Sequence, residues 1–193
     1  MQTDGSRISW TQQQLEKIEH VEEIFRNHDM HDFRWIEIRQ IVTAQWVRMK
    51  CMFGCGDYGK CAACPPNVPG VAECERFFSE YIHAVIFHFH TQLENPEDRH
   101  AWTAEITHTL LQVERAVFLA GYEKAFLLFP DNCHVCKTCA EERTDCKQPQ
   151  QARPTPEALG VDVYATVRAA GYPIQVLPNY EQTMNRYAFL LVE

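Results

Sequence analysis

A chain of 193 residues suffices for one ordinary domain around a single sizeable core. Its 46% hydrophobic and 23% charged residues exclude a disordered chain. The net charge of −8 excludes a general partnership with nucleic acid or an anionic membrane, both of which need a basic face. No stretch of about 18 consecutive apolar residues offers a membrane span, and "MQTDGSRISWTQQQ" lacks the basic and apolar regions of a signal peptide, so a cytoplasmic protein is expected.

In chain order, Thr11 to Gln14 reads as a capping box, with Trp10 and Leu15 as its hydrophobic staple. The helix behind it carries Leu15, Ile18, Val21, Ile24 and Phe25 on one face and ends near His28. "FRWIEIRQIVTAQWVRMK" is rich in β-branched and aromatic residues and predicts one or two strands, with "WVRMK" as the strand leading into Cys51. "VAECERFFSEY" predicts a short helix and "AVIFHFH" a strand. Asn95 and Pro96 open a long helix with Glu97 and Asp98 in its first turn, an apolar stripe from Trp102 to Val117, and Gly121 as its stop. "AFLLFP" predicts a buried strand leading to Cys133. Thr155 and Pro156 begin a helical turn ended by Gly160, and Asp162 caps a helix ending near Gly171. "IQVL" and "RYAFLLV" predict two more strands. This alternation predicts an α/β fold: one domain over residues 1–193, with a mixed sheet of four to six strands and flanking helices. Two cysteine-rich loops, at about 51–74 and 133–149, interrupt it.

Nine cysteines in a cytoplasmic protein do not suggest disulfides, because reducing thiol pools keep such cysteines free. They also do not scatter as buried apolar cysteines would. Cys51, Cys55, Cys61, Cys64 and Cys74 form one group, and Cys133, Cys136, Cys139 and Cys146 form another. Metal ligation explains that grouping. Cys133-x2-Cys136-x2-Cys139 has the three-residue rhythm that opens ferredoxin cluster motifs, and Cys146 supplies a fourth thiol from the same loop. Zinc sites more often pair two C-x2-C hooks or mix cysteine with histidine. In the first group, glycines separate Cys51, Cys55 and Cys64, and Pro65 follows Cys64 as proline follows cysteine in ferredoxin loops. Cys61 or Cys74 is available as a fourth ligand; with neither, one iron of a cluster stays open. If the strands entering Cys51 and Cys133 are parallel, both loops leave one edge of the sheet.

The stretch Cys51, Cys55, Tyr58-Gly59-Lys60 and Cys64-Pro65-Pro66 resembles an uncharacterised cysteine-rich family described as predicted metal-binding proteins. The second half resembles it too, at Cys133, Cys136, Cys139, Cys146, Pro149, Ala152-Arg153-Pro154, Glu157-Ala158 and Gly160-Val161-Asp162-Val163. The likeness covers residues 45–175. Cys61 stands where the family pattern has another residue. The resemblance implies iron–sulfur binding and no particular reaction.

The expected protein is therefore an iron–sulfur protein of an anaerobic context, holding one or two [4Fe–4S] clusters on Cys51, Cys55, Cys64, Cys133, Cys136, Cys139 and Cys146. It would transfer electrons to a redox partner protein or perform a redox or sulfur reaction on a small-molecule substrate. The alternative is a zinc-stabilised interaction module without redox activity. Tyr58 and Lys60 read equally well as substrate contacts or as turn filler and solvated charge. His88 and His90 share a strand face, where a half-polar sheet surface is the cheaper reading than a ligand pair. Arg153 and Glu157 are placed for a structural ion pair.

Overall fold

The structure is a computed structural model and describes residues 12–95, 98–179 and 182–193. Thr11 of the Thr11–Gln14 capping box, the Trp10 part of its staple, and Pro96 with Glu97 lie outside the described residues. Among the described residues are five α-helices and four strands. In chain order these are α1 (Gln12–Asn27), β1 (Phe33–Glu37), α2 (Gln45–Gly54), α3 (Val71–Phe78), β2 (His83–Thr91), α4 (Arg99–Leu119), β3 (Phe126–Leu128), α5 (Val163–Ala169) and β4 (Met184–Leu191). The class is α/β, as expected.

The strands form one sheet in the order β1-β2-β4-β3, and all three pairings are antiparallel. Register pairs Trp35 with Val85, Ile86 with Phe189, and Leu127 with Leu190. Successive side chains point to opposite faces, so the apolar runs of β2 and β4 feed two cores. One face carries Ile36, Ile86, Leu128 and Phe189 against Phe78 of α3 and Val167 of α5. The other carries Val85, Phe87, Leu127 and Leu190 against Val21 and Phe25 of α1 and Leu110, Val113 and Val117 of α4. Helices thus cover both faces, which is why the strands read as continuous apolar runs.

Two strand expectations give way. "WVRMK" lies inside α2 and is helical. Gln45, Arg48, Met49, Lys50 and Met52 are unbranched helix formers, and after Thr43 only Val47 of the β-branched residues that coloured the window remains. "IQVL" has no ladder partner. It sits between Pro173 and Pro178, which lack ladder donors, and Val176 is 77% exposed. Among the described residues every strand pairing is antiparallel, so the sheet is not the mixed one expected, and the exit of both cysteine loops past parallel strand ends does not apply.

Candidate metal centre

The first cysteines are positioned by α2. Cys51 lies in its last turn, and Cys55 caps it, donating its N–H to the Cys51 carbonyl at 3.4 Å. A spacing of four puts both thiols on one helix face. The helix is fixed from outside by Arg48, whose Nη2 donates to the carbonyls of Pro69 at 2.9 Å and Ala158 at 2.6 Å. The loop then winds tightly. Gly59, at φ +76°, donates to Pro65 O at 3.1 Å, a backbone state that excludes most side chains. Lys60 Nζ folds back onto Gly56 O at 2.7 Å and Cys64 N–H donates to Cys61 O at 3.1 Å, so Lys60 closes its own turn.

The second cysteines follow β3. The loop leaves at Pro130 and is tied at its far end by Phe129 N–H to Pro154 O, 2.9 Å. The two cysteine loops then fold across one another. Ala62 N–H donates to Cys139 Sγ at 3.3 Å, a contact of the kind that tunes a ligating sulfur. Asn67 joins the loops with two bonds, Nδ2 donating to Glu141 O at 2.7 Å and Oδ1 accepting from Arg143 N–H at 3.3 Å, while Nδ2 also donates to Cys61 O of its own loop at 3.3 Å. Nothing in the sequence singled out Asn67, since its partners lie 74 and 76 residues away.

The cysteines regroup accordingly. Buried Cys61 forms a small cluster with Ala63 and Ala152, against which Cys64, Cys133, Cys139 and Cys146 pack. Cys61, from the first sequence group, thus sits among the thiols of the second. Cys136 is half-buried on the same loop as Cys133. Cys51, Cys55 and Cys64 instead line one cavity. Cys74 is apart: it lies in the core with Phe78 and Val167, and its thiol donates to Pro69 O at 3.5 Å.

Thiol electrostatics reflect this crowding. Cys61 is lowered to about 6, chiefly because the Cys64 thiol hydrogen-bonds to it, with the Ala63 and Cys133 amides and the Cys139 side chain acting in the same sense. Cys64 is raised, first by that same bond and then by burial and the nearby sulfurs of Cys61, Cys51 and Cys55. Burial is the leading cause of the raised pKa of Cys51, Cys74 and Cys133. The chain therefore brings at least seven thiols into two adjoining sets, with Cys64 touching both.

The cavity lined by Cys51, Cys55 and Cys64 measures about 330 Å³. Its other walls include Tyr58, Arg99, Asp131, Glu157 and Arg186. Glu157 is exposed at the rim of this cavity, and desolvation raises its carboxyl pKa against the opposing effects of Thr155 and Arg186. Sequence spacing paired Arg153 with Glu157; the structure pairs Arg153 Nε with Glu114 Oε1 of α4 at 2.8 Å. Pro154 and Pro156 keep residues 153–157 from forming the helical turn that an i,i+4 pair needs. His88 has the structural role: its Nδ1 meets Asp32 Oδ2 at 2.7 Å and its Nε2 meets Asn185 Oδ1 at 2.8 Å, with the ring stacked on Tyr187.

Interleaved thiol loops around a β-sheet core define a metal-binding α/β protein. The family model described as "Predicted metal-binding protein (DUF2284)" matches residues 34–192, and the chain belongs to that family. No curated protein and no solved structure matches the chain. Among the described residues no helix is long and apolar enough to cross a membrane.

Proposed function

We propose that this metal-binding protein is a cytoplasmic iron–sulfur protein of an anaerobic setting, a single domain holding one or two [4Fe–4S] clusters and performing a redox or sulfur reaction on a small molecule. One observation carries the reading: Cys51, Cys55 and Cys64 line a cavity of about 330 Å³ whose other walls include the charged side chains of Asp57, Arg99, Asp131, Glu157 and Arg186. Three thiols beside room for a ligand suit a centre with one open position, the arrangement that separates catalytic from structural metal sites. When bound, a cluster supplies electrons and an iron that accepts a donor atom.

The donor set fits such a group. Sulfurs make up the donor set that the two loops bring together here, and an amide N–H is already directed at Cys139 Sγ. Cys51, Cys55 and Cys64 would hold the cavity-side centre. Cys133, Cys136, Cys139 and Cys146 would hold the other, with Cys61 placed to replace one of them. The chain's own residues shape what enters. Arg186 offers a cation to an anionic substituent, and Glu157 places a carboxyl group beside the thiols. Electrons would come from a redox partner protein by way of the buried set.

Anaerobically purified protein tests the reading. Iron and acid-labile sulfide in equal amounts with broad visible absorption are expected. Cys64→Ser should remove the cavity-side centre and Cys139→Ser the buried one. Colourless protein that carries zinc and no sulfide would replace this proposal with the zinc-stabilised interaction module.

A further inference from the structure

Among the described residues, four buried side-chain nitrogen or oxygen atoms find no hydrogen-bond partner, and three lie together: Arg99 Nε, His100 Nδ1 and Asp131 Oδ2. Arg99 Nε and Asp131 Oδ2 face each other, so the unmet capacity at this point lies on His100 and on the remaining lone pairs of the Asp131 carboxylate. Arg99 Nε is 3.1 Å from Asp131 Oδ2 as an ion pair, without the alignment of a hydrogen bond. His134 completes the group. His100, Asp131 and His134 each present a ligand atom within 4.8 Å of the other two, and the imidazole rings lie 4.5 Å apart.

We propose that His100, Asp131 and His134 bind a divalent first-row transition-metal ion, separate from the cysteine centres. Metal–ligand bonds of about 2 Å need donor atoms roughly 3 to 3.5 Å apart, so modest side-chain rotations close the set. The outer contacts are those a metal site uses. His134 Nε2 meets Asn132 Oδ1 at 2.8 Å; the amide oxygen accepts only, so Nε2 carries the proton and Nδ1 keeps its lone pair. Asn132 N–H donates to Asp131 Oδ1 at 2.9 Å and leaves Oδ2 for the ion. One residue thus orients two ligands. Two imidazoles and one carboxylate suit zinc, iron(II), manganese(II) or cobalt(II), and three protein ligands leave positions open. Those positions adjoin the thiol-lined cavity, because Asp131 and Asn132 are part of its wall.

Arg99 competes with the ion. Its guanidinium neutralises Asp131, and its Nη2 lies 3.2 Å from His100 Nε2. Binding therefore exchanges one cation for another.

Manganese(II) is the probe, since it prefers oxygen and nitrogen ligands and leaves thiolates alone. The full chain, purified anaerobically with its cysteine centres loaded, is titrated while the electron paramagnetic resonance signal of free manganese is followed. One ion per chain, displaced by zinc, is expected. His100→Gln and Asp131→Asn should each weaken binding about tenfold or more, with metal at the cysteines unchanged. Arg99→Gln should tighten it, and this variant keeps the test alive if the others misfold. Wild-type protein that takes up no manganese overturns the proposal, as does an affinity indifferent to all three substitutions. The count is read whether the thiols hold iron or zinc, so failure here is distinct from failure of the iron–sulfur reading.

Discussion

Arg153 leaves the second cysteine loop seven residues after Cys146 and anchors that loop to the body of the protein. Its Nε donates to Glu114 Oε1 at 2.8 Å, and Leu127 N–H of β3 donates to the same oxygen at 2.8 Å. Nη1 of Arg153 also donates to Gln150 O and Ala152 O, so one side chain fixes α4, β3 and the loop together. Glu114 is buried, and removing its cation leaves a carboxylate with a single donor in a low-dielectric place. Arg153→Met is expected to lower the unfolding free energy by about 3 kcal/mol in urea titration. Adding Glu114→Gln should recover part of that loss, because the amide oxygen still accepts from Leu127 and no charge stays buried. A loss below about 1 kcal/mol, or strict additivity, would show the pair to be incidental. Sequence spacing led to Glu157 because local pairs are visible along a chain, whereas Glu114 is 39 residues away.

Around α2, backbone contacts add to the apolar packing of α3 and α5. Gly160 is the point of closest approach. Its φ is +83°, its carbonyl accepts from Ala44 N–H at 2.8 Å just before α2, and an added Cβ would lie 2.9 Å from Val71 Cγ2 at the start of α3. Gly160→Ala is expected to cost about 1 to 3 kcal/mol, from the left-handed backbone and the clash together. Val71→Ala in the same chain should relieve the clash and leave the backbone cost. A neutral Gly160→Ala measured by thermal and urea unfolding would disprove this account. The same region shows what was legible in the sequence. Gly160 as a stop, Asp162 as a cap (accepting from Ala165 N–H at 2.9 Å), the apolar runs of β2 and β4 and the later part of the α4 stripe, Leu110, Val113 and Val117, all express local rules and are present, whereas Thr103 and Thr107, not Trp102 and Ile106, are the buried residues in the first half of α4. α2 was misread because β-branched residues just before it coloured the window. The transfer of Cys61 to the second thiol group was invisible, since it depends on the crossing of loops that Asn67 fastens. The His100–Asp131–His134 group was equally hidden, being assembled from a helix start and a loop about 30 residues later.

At the scale of the molecule, the two apolar cores lie on the two faces of the sheet, and the cysteine loops share neither in full. Their own cluster holds Cys61, Ala63 and Ala152 at its centre, with thiols around it. Alanines and cysteines bury little area, so burial at about 25 cal/mol per Å² contributes far less there than in the sheet cores. Ligand bonds would supply the missing cohesion, and a ligand bound only by the folded loops stabilises them by mass action. Stripping the metal should therefore loosen the loops and spare the sheet. Hydrogen exchange of metal-free protein is expected to show lost protection at residues 56–67 and 131–152, while amides of β2 and β4, such as Ile86 and Phe189, exchange as slowly as before. More cysteines should also react with a thiol reagent in the metal-free form without denaturant. Equal loss of protection in β2 and β4 would mean that the metal is needed for the whole fold, and unchanged loop protection would mean that the loops hold together through contacts such as those of Asn67 alone.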